Sequence, residues 1–291
     1  MPELPEVEVT RRRIAPILLG RQIARVRTTP PSYFFLTPPA ALRAAFEGES
    51  VVRLERRGKY LVAELTSGDR VLLHLGMTGQ LFSSGASSVR LLSATARASL
   101  APEAQPEFEP DAHTHLHLSF RDHGAEVFFR DVRKFGKVQL LKRGEACERL
   151  ERLGIDALEV QGDDLFRATR KRTVAIKNLM LDQAVVAGTG NIYADEALFM
   201  GGVRPRRQAR RVTRAECERI ADAVREVMAR SIETGGSSIS DYVAPDGSDG
   251  AYQDERRVYA RTGEPCLTCA TPIKRIVIGQ RSAHYCTRCQ R

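Results

Sequence analysis

The stretch MPELPEVEVTRRR, residues 1–13, decides how the rest of the chain is read. A proline–glutamate pair occurs twice in it, as Pro2-Glu3 and Pro5-Glu6, just ahead of alternating valines and a basic run. Pro5 stands where a helix tolerates proline, and acids fill the first turn. Residues 4–18 therefore predict a helix, which Pro16 and Gly20 should end. Chain termini usually fray and tolerate change; this one carries the marks of a fixed start.

Outward from that helix the pattern turns to strands. Runs at 22–27, 51–54, 60–65 and 71–75 are β-branched or alternating, with turns such as Thr66-Ser67-Gly68-Asp69 between them. Residues 83–111 are rich in Ser, Ala, Pro and Glu and read as a long surface loop. Strands resume at 115–120, 126–130 and 137–141. The first ~145 residues thus predict a β-rich domain of sandwich type.

Beyond it the period becomes helical. Over 213–234, Thr213 and Glu216 form a capping box and Gly235 a C-cap. Cys217, Ile220, Val224, Val227, Met228 and Ile232 share one face, which makes Cys217 a core residue. Shorter helices are expected at 173–183 and 191–200, and a Gly-, Ser- and Asp-rich loop at 236–254.

The six cysteines divide unequally. Cys147 and Cys217 stand alone. Cys266 and Cys269 form one C-x2-C pair, and after sixteen intervening residues Cys286 and Cys289 form another. That spacing suits a zinc site of four thiolates, closed to water and so structural. Two disulfides are the alternative, but the acidic, proline-rich start is no secretory signal.

The chain has 291 residues and a net charge of +9, with pI ≈ 9.5. It has 42% hydrophobic and 28% charged residues, which excludes wholesale disorder, and it lacks a run of about 18 apolar residues, so no membrane span is expected. The basic excess is a solvated surface or a polyanion-binding face. Gly188-Thr189-Gly190-Asn191 ahead of a helix can present backbone N–H groups to an anion, with Arg172, Lys177, Arg204, Arg206 and Arg207 nearby in sequence. Read plainly it is a turn. Asp131-Val132-Arg133-Lys134-Phe135-Gly136 puts a base-reading side chain two residues from an intercalating one, or is an ordinary turn with a core Phe. Met77, in His74-Leu75-Gly76-Met77-Thr78-Gly79, is core filler or a probe.

If Met1 is removed, as expected before a small second residue, Pro2 becomes a terminal secondary amine. An α-amino group titrates near ~8, and a helix N-terminus lowers it further. Pro2 can then be a neutral nucleophile, forming an iminium with a sugar carbon, while Glu3 protonates the departing ring oxygen. The plain reading of Glu3 is a first-turn acid favoured by the helix dipole.

MPELPEVEVTRR, GKYL at 58–61, HLGMTGQL at 74–81, DVRKFG, GTGNIYADE and the four-cysteine tail occur in this order. Together they closely resemble the bacterial formamidopyrimidine-DNA glycosylases, nearly end to end. The resemblance implies an α+β multidomain protein. A catalytic β-sandwich with a leading helix would span 1–145. A helix–two-turns–helix domain with a lesion-capping loop would span 146–254, and a zinc finger 255–291, with DNA in the cleft between. It implies Pro2 as Schiff-base nucleophile, Glu3 as acid, Lys59 as proton donor in β-elimination and Arg281 as an aid to δ-elimination. His74, His113, Arg133 and Arg172 would contact DNA, and Lys177 and Asn191 would hold phosphates. Met77, Arg133 and Phe135 would fill the hole left by the flipped nucleotide, Arg133 facing the orphaned cytosine. Residues 237–253 would form a mobile lid over everted 8-oxoguanine. One structural zinc, a double-stranded DNA partner with oxidised bases or abasic sites, a monomeric state and a cytoplasmic, nucleoid-associated location follow.

Three departures accompany the resemblance. The usual DPRRFG is DVRKFG here. The usual LGPEPL is Leu153-Gly154-Ile155-Asp156-Ala157-Leu158, without prolines. The 83–111 segment is longer than in the family and is expected to lie away from the catalytic pocket. The competing readings are the sibling enzyme for oxidised pyrimidines, endonuclease VIII, and a zinc-dependent damage-binding protein without chemistry. PELPEVE, the Arg133/Phe135 pair and the Ser-rich lid favour the purine enzyme over the first, and Pro2, Glu3 and Lys59 argue against the second.

Overall fold

A computed structural model describes residues 1–87, 108–239 and 242–291. The chain forms two compact units, Met1–Cys147 with Thr234–Ala251, and Glu148–Glu233 with Tyr252–Arg291. Thr234–Ala251, assigned from the sequence to the helical segment, packs within the first unit. The middle of the 83–111 insertion lies outside the described residues.

The first unit begins with α1 (Leu4–Leu18), followed by β1 (Ile23–Thr28), α2 (Pro39–Phe46), β2 (Val51–Arg57), β3 (Tyr60–Leu65), β4 (Arg70–His74), β5 (Gly79–Ser83), β6 (Thr114–Phe120), β7 (Val127–Asp131) and β8 (Lys137–Leu141). The strands make two antiparallel four-stranded sheets, ordered β1-β6-β7-β5 and β2-β3-β4-β8. One core lies between them. Val26, Leu81, Leu116 and Phe129 face it from one sheet, Leu54, Leu61, Leu73 and Val138 from the other, and Ile14 of α1 and Phe46 of α2 join it. Each such side chain is worth roughly 1.5–3 kcal/mol of burial, so this core holds the sandwich together.

Two elements depart from the expected pattern. Pro16 does not end α1, because a proline one turn from the C-terminus removes a single donor and Leu19 N still reaches Ala15 O at 2.9 Å. Strand β5 escapes the alternation rule because all five of its residues are buried, Gly79, Gln80 and Ser83 included.

In the second unit the helix Arg214–Glu233 buries Cys217, Ile220, Val224, Val227, Met228 and Ile232, the face read from the sequence. Burial pushes the Cys217 thiol up to about 11, so it stays protonated and inert. Thr213 N donates to Glu216 Oε2 at 2.8 Å and Glu216 N to Thr213 Oγ1 at 3.3 Å, closing the capping box. This helix packs on the helices Gly162–Thr169 and Asn191–Met200. The hairpin Lys274–Ile278/Arg281–Tyr285 follows.

Candidate functional site

Helix α1 starts buried. Pro2 is buried and Glu3, at the N-cap, is 3% exposed. Glu6 places one carboxylate oxygen on each of two backbone donors: Oε2 accepts from Glu3 N at 2.8 Å and Oε1 from Ser237 N at 2.8 Å. The first proline–glutamate pair is thus fixed by the glutamate of the second. While Met1 is attached, the Pro2 nitrogen is an amide without a basic lone pair.

Lys59 lies in the two-residue turn between β2 and β3, where Arg57 pairs with Tyr60. Gly58 takes φ +56°, as the first position of a type II′ hairpin turn requires. The Lys59 side chain is pulled inward, with the residue 7% exposed. Arg56 donates to Gly58 O at 3.1 Å and to Glu8 Oε2 at 3.3 Å, which ties this turn to α1.

A second group gathers around Asp131, which has no exposed surface. Its Oδ1 accepts from Thr78 Oγ1 at 2.5 Å and Arg133 N at 3.2 Å, and its Oδ2 from Gly136 N at 2.6 Å. One carboxylate thereby holds two loops, one carrying Met77 and the other Arg133 and Phe135. A Cβ at Gly76 would lie 2.4 Å from Gly136 N, and its φ is +65°, so only glycine fits this close approach. His115 sits behind Asp131. Its Nε2 lies 2.9 Å from the Asp131 carbonyl and its Nδ1 3.0 Å from Thr29 Oγ1. Burial holds its imidazole below the usual range, so the neutral ring donates from Nε2 and accepts at Nδ1. Met77 and Phe135 project, 38% and 42% exposed, and the Arg133 guanidinium lies 4.7 Å over the Phe135 ring. His74 accepts from Gly76 N at 3.1 Å through Nδ1, so it shapes the Met77 turn. His113 is half-buried, its backbone N held by Asp111 Oδ1 at 2.9 Å.

In the second unit, Asn191 opens the helix Asn191–Met200. Thr189 Oγ1 and Asn191 Oδ1 are buried and have no hydrogen-bond partner among the described residues; the Thr189 hydroxyl can donate to an anion at this helix start, whereas the Asn191 amide oxygen only accepts. Asn191 Nδ2 donates to Ser282 Oγ at 3.3 Å. Lys177, expected from the sequence to hold a phosphate, is enclosed in this structure. Its residue is fully buried, and Nζ donates to Asp195 Oδ1 at 2.6 Å and Ser282 O at 2.5 Å. An ammonium so enclosed ties the hairpin to the helix. Asp195 Oδ2 also accepts from His284 N at 2.8 Å. Glu196 accepts from the backbone N of Arg257, Val258 and Tyr259, and burial raises its carboxyl above the usual range against those donors. Arg281 is exposed at the tip of its hairpin, after a turn with Gly279 and Gln280 at positive φ. Arg172 is exposed and 3.5 Å from Asp182.

The sulfurs of Cys266, Cys269, Cys286 and Cys289 lie within 4.8 Å of one another, with close pairs at 3.4 and 3.9 Å. A tetrahedron with Zn–S bonds of ~2.3 Å has edges of about 3.8 Å, whereas a disulfide needs ~2.05 Å. The four residues fit one structural zinc.

Sequence reasoning missed Glu6, Asp131 and Asp195 as organisers. Their signal is an acid beside each functional residue, which also describes many surface acids.

Fold and site together define a multidomain α+β protein with a sandwich, a helical unit and a structural zinc finger. Residues 1–138 match the Formamidopyrimidine-DNA glycosylase N-terminal domain, 153–243 the Formamidopyrimidine-DNA glycosylase H2TH domain, and 263–291 the zinc finger found in FPG and IleRS. The chain is 44% identical to a formamidopyrimidine-DNA glycosylase of Cupriavidus pinatubonensis and 39% identical to one of Solibacter usitatus, covering 100% of each chain in both cases. It resembles the crystal structure of the MutM (FPG) protein from Thermus thermophilus, with TM-score 0.82 and 37% identity, covering 99% of this chain and 98% of that one. It also resembles the Lactococcus lactis Fpg in complex with an abasic site containing DNA, with TM-score 0.85 and 30% identity over 99% of both chains. The chain belongs to the formamidopyrimidine-DNA glycosylase family.

Proposed function

We propose that this chain is a base-excision repair glycosylase and abasic-site lyase that removes oxidised purines, 8-oxoguanine and formamidopyrimidines, from double-stranded DNA. The observation that carries the reading is the placement of Pro2 and Glu3 at a buried helix start, fixed by Glu6. Once Met1 is gone, the Pro2 nitrogen attacks C1′. An N–C1′ bond forms and the glycosidic bond breaks, its electron pair leaving with the damaged base, which takes up a proton to balance the one that the Pro2 nitrogen gives up. Glu3 protonates the ring oxygen as it departs, leaving an iminium at C1′. That electron sink acidifies C2′. Loss of a C2′ proton expels the 3′ phosphate, with Lys59 as proton donor in this elimination and Arg281 assisting the second.

Positions for the DNA follow from the same reading. Met77, Arg133 and Phe135 enter the stack as the nucleotide leaves it, Arg133 facing the orphaned cytosine. His74, His113, Arg172 and Asn191 contact the DNA, with Lys177 placing Asn191's neighbour Ser282. Residues 237–253 cap the everted base. The functional division is 1–145, 146–254 and 255–291. The protein works as a monomer, in the cytoplasm with the nucleoid; among the described residues no helix is long and apolar enough to cross a membrane.

The test is borohydride trapping on a duplex with 8-oxoguanine opposite cytosine, with mass spectrometry of the N-terminal peptide. The expected result is a covalent adduct on Pro2, absent in Pro2→Gly and in protein that retains Met1. Tight binding without an adduct in Met1-free protein would overturn the reading.

A further inference from the structure

The described roots of the 83–111 insertion, 83–87 and 108–111, meet the loop that follows residue 234. The two roots also meet each other, Phe108 N donating to Ala86 O at 2.7 Å. The Phe108 ring lies 5.1 Å from Phe82 and 5.4 Å from Phe128, centroid to centroid. Phe82, Ala86 and Phe128 are buried, and the other buried member of this cluster is Val243. The cluster is separate from the sandwich core and exists because the insertion's roots and the 242–250 stretch cover each other.

Polar contacts follow the same seam. Ser83 presents its N at 3.0 Å and its Oγ at 3.2 Å to Pro245 O. A Cβ on Gly247 would lie 2.1 Å from Ser87 O, so the two backbones touch where only glycine permits it. On the opposite side the loop is held to α1. Arg13 Nη1 donates to Asp246 Oδ1 at 2.7 Å, and Glu6 accepts from Ser237 N at 2.8 Å. Gly250 N donates to Ser238 Oγ at 2.9 Å, which draws the loop's two ends together.

We propose that Phe108, with the insertion root Ala86–Ser87, is a positioning residue for the base-capping loop: it braces Tyr242–Gly250 against α1 and so sets the rate of base release in this chain. The proposal rests on the reading of 237–253 as that cap. A brace acts on the step that needs a capped base. It leaves untouched the lyase step at a site whose base is already gone.

The experiment compares full-length, Met1-free wild type with Phe108→Ala and Phe108→Leu. Amide hydrogen exchange over 242–250 is read alongside two rates, base release from an 8-oxoguanine:cytosine duplex and strand cleavage at a preformed abasic site. In Phe108→Ala, exchange over 242–250 should rise about tenfold or more while the sheets keep their protection. Base release should slow by about tenfold at unchanged abasic-site cleavage, and Phe108→Leu should recover most of the loss. Gly247→Ala, which drives the same seam apart from the other side, should likewise raise exchange over 242–250 and slow base release, and carries the test if Phe108→Ala does not fold. Unchanged exchange in the folded variants overturns the brace. Faster exchange with unchanged base release overturns the capping role and the proposal with it, while adduct formation on Pro2 tests the chemistry separately.

Discussion

Glu8 and Arg56 join the helix that carries Pro2 and Glu3 to the hairpin that carries Lys59. Arg56 Nε donates to Glu8 Oε2 at 3.3 Å, with the two side chains 10% and 8% exposed. Arg11 and Arg12 each reach Glu8 Oε1 at 2.8 Å. The segments that carry Pro2 and Lys59 are thus clamped by one carboxylate.

Burial alone would push the Glu8 carboxyl up, but Arg11, Arg12 and Arg56 bring it from 4.5 down to about 2. A depressed native value means that the unfolded chain binds the proton more tightly. The contribution is therefore complete above pH 4.5 and disappears as the pH falls through about 2. Glu8→Gln should be less stable than wild type at pH 7, with the gap closing over that acid window. Urea unfolding at a series of pH values measures it, and a gap independent of pH would contradict the clamp.

Asp131→Ala removes the acceptor for Thr78 Oγ1 and for two backbone N–H groups. The loss should be about 2–4 kcal/mol by denaturant melts, since buried donors are left unsatisfied. Strand cleavage at a lesion in intact duplex should fall more than cleavage at a preformed abasic site, because the Met77 and Arg133 loops lose their common anchor.

Asp195→Ala strands the Lys177 ammonium without exposed surface and should cost about 3–5 kcal/mol. Adding Lys177→Met should restore part of that stability, because the uncompensated charge goes with it. A thermal melt of the two single variants and the double variant decides between charge pairing and simple packing as the source.

Metal analysis should return one zinc per chain, held by Cys266, Cys269, Cys286 and Cys289. Strong chelation, or Cys286→Ser, should unfold the hairpin Lys274–Tyr285 and displace Arg281, weakening DNA binding. Circular dichroism together with a fluorescence-anisotropy titration at fixed salt reads both effects.

Elements with a strict local period were legible in the sequence. The helix Arg214–Glu233 announces its cap and its buried face, and the four cysteines carry their spacing. Strand β5 and helix α2 were not, since one is buried all round and the other begins with Pro38 and Pro39, which read locally as a break. The same limit governs the site. Pro2, Lys59 and Arg133 are recognisable by neighbours along the chain, whereas the partners of Glu6, Asp131 and Asp195 lie up to 231 residues away. The enclosure of Lys177 is of that kind: it depends on Asp195 and Ser282, which only the tertiary fold brings to it.

With one side chain Glu6 joins the Glu3 amide, three residues before it, to the Ser237 amide, 231 residues after it. During vectorial synthesis this carboxylate finds its second donor only once Ser237 has been made. A truncated or stalled product lacking the stretch after residue 234 leaves Glu6 with half of its work. The hydrogen bonding at the start of α1 is therefore completed only after the stretch that follows residue 234 has been made.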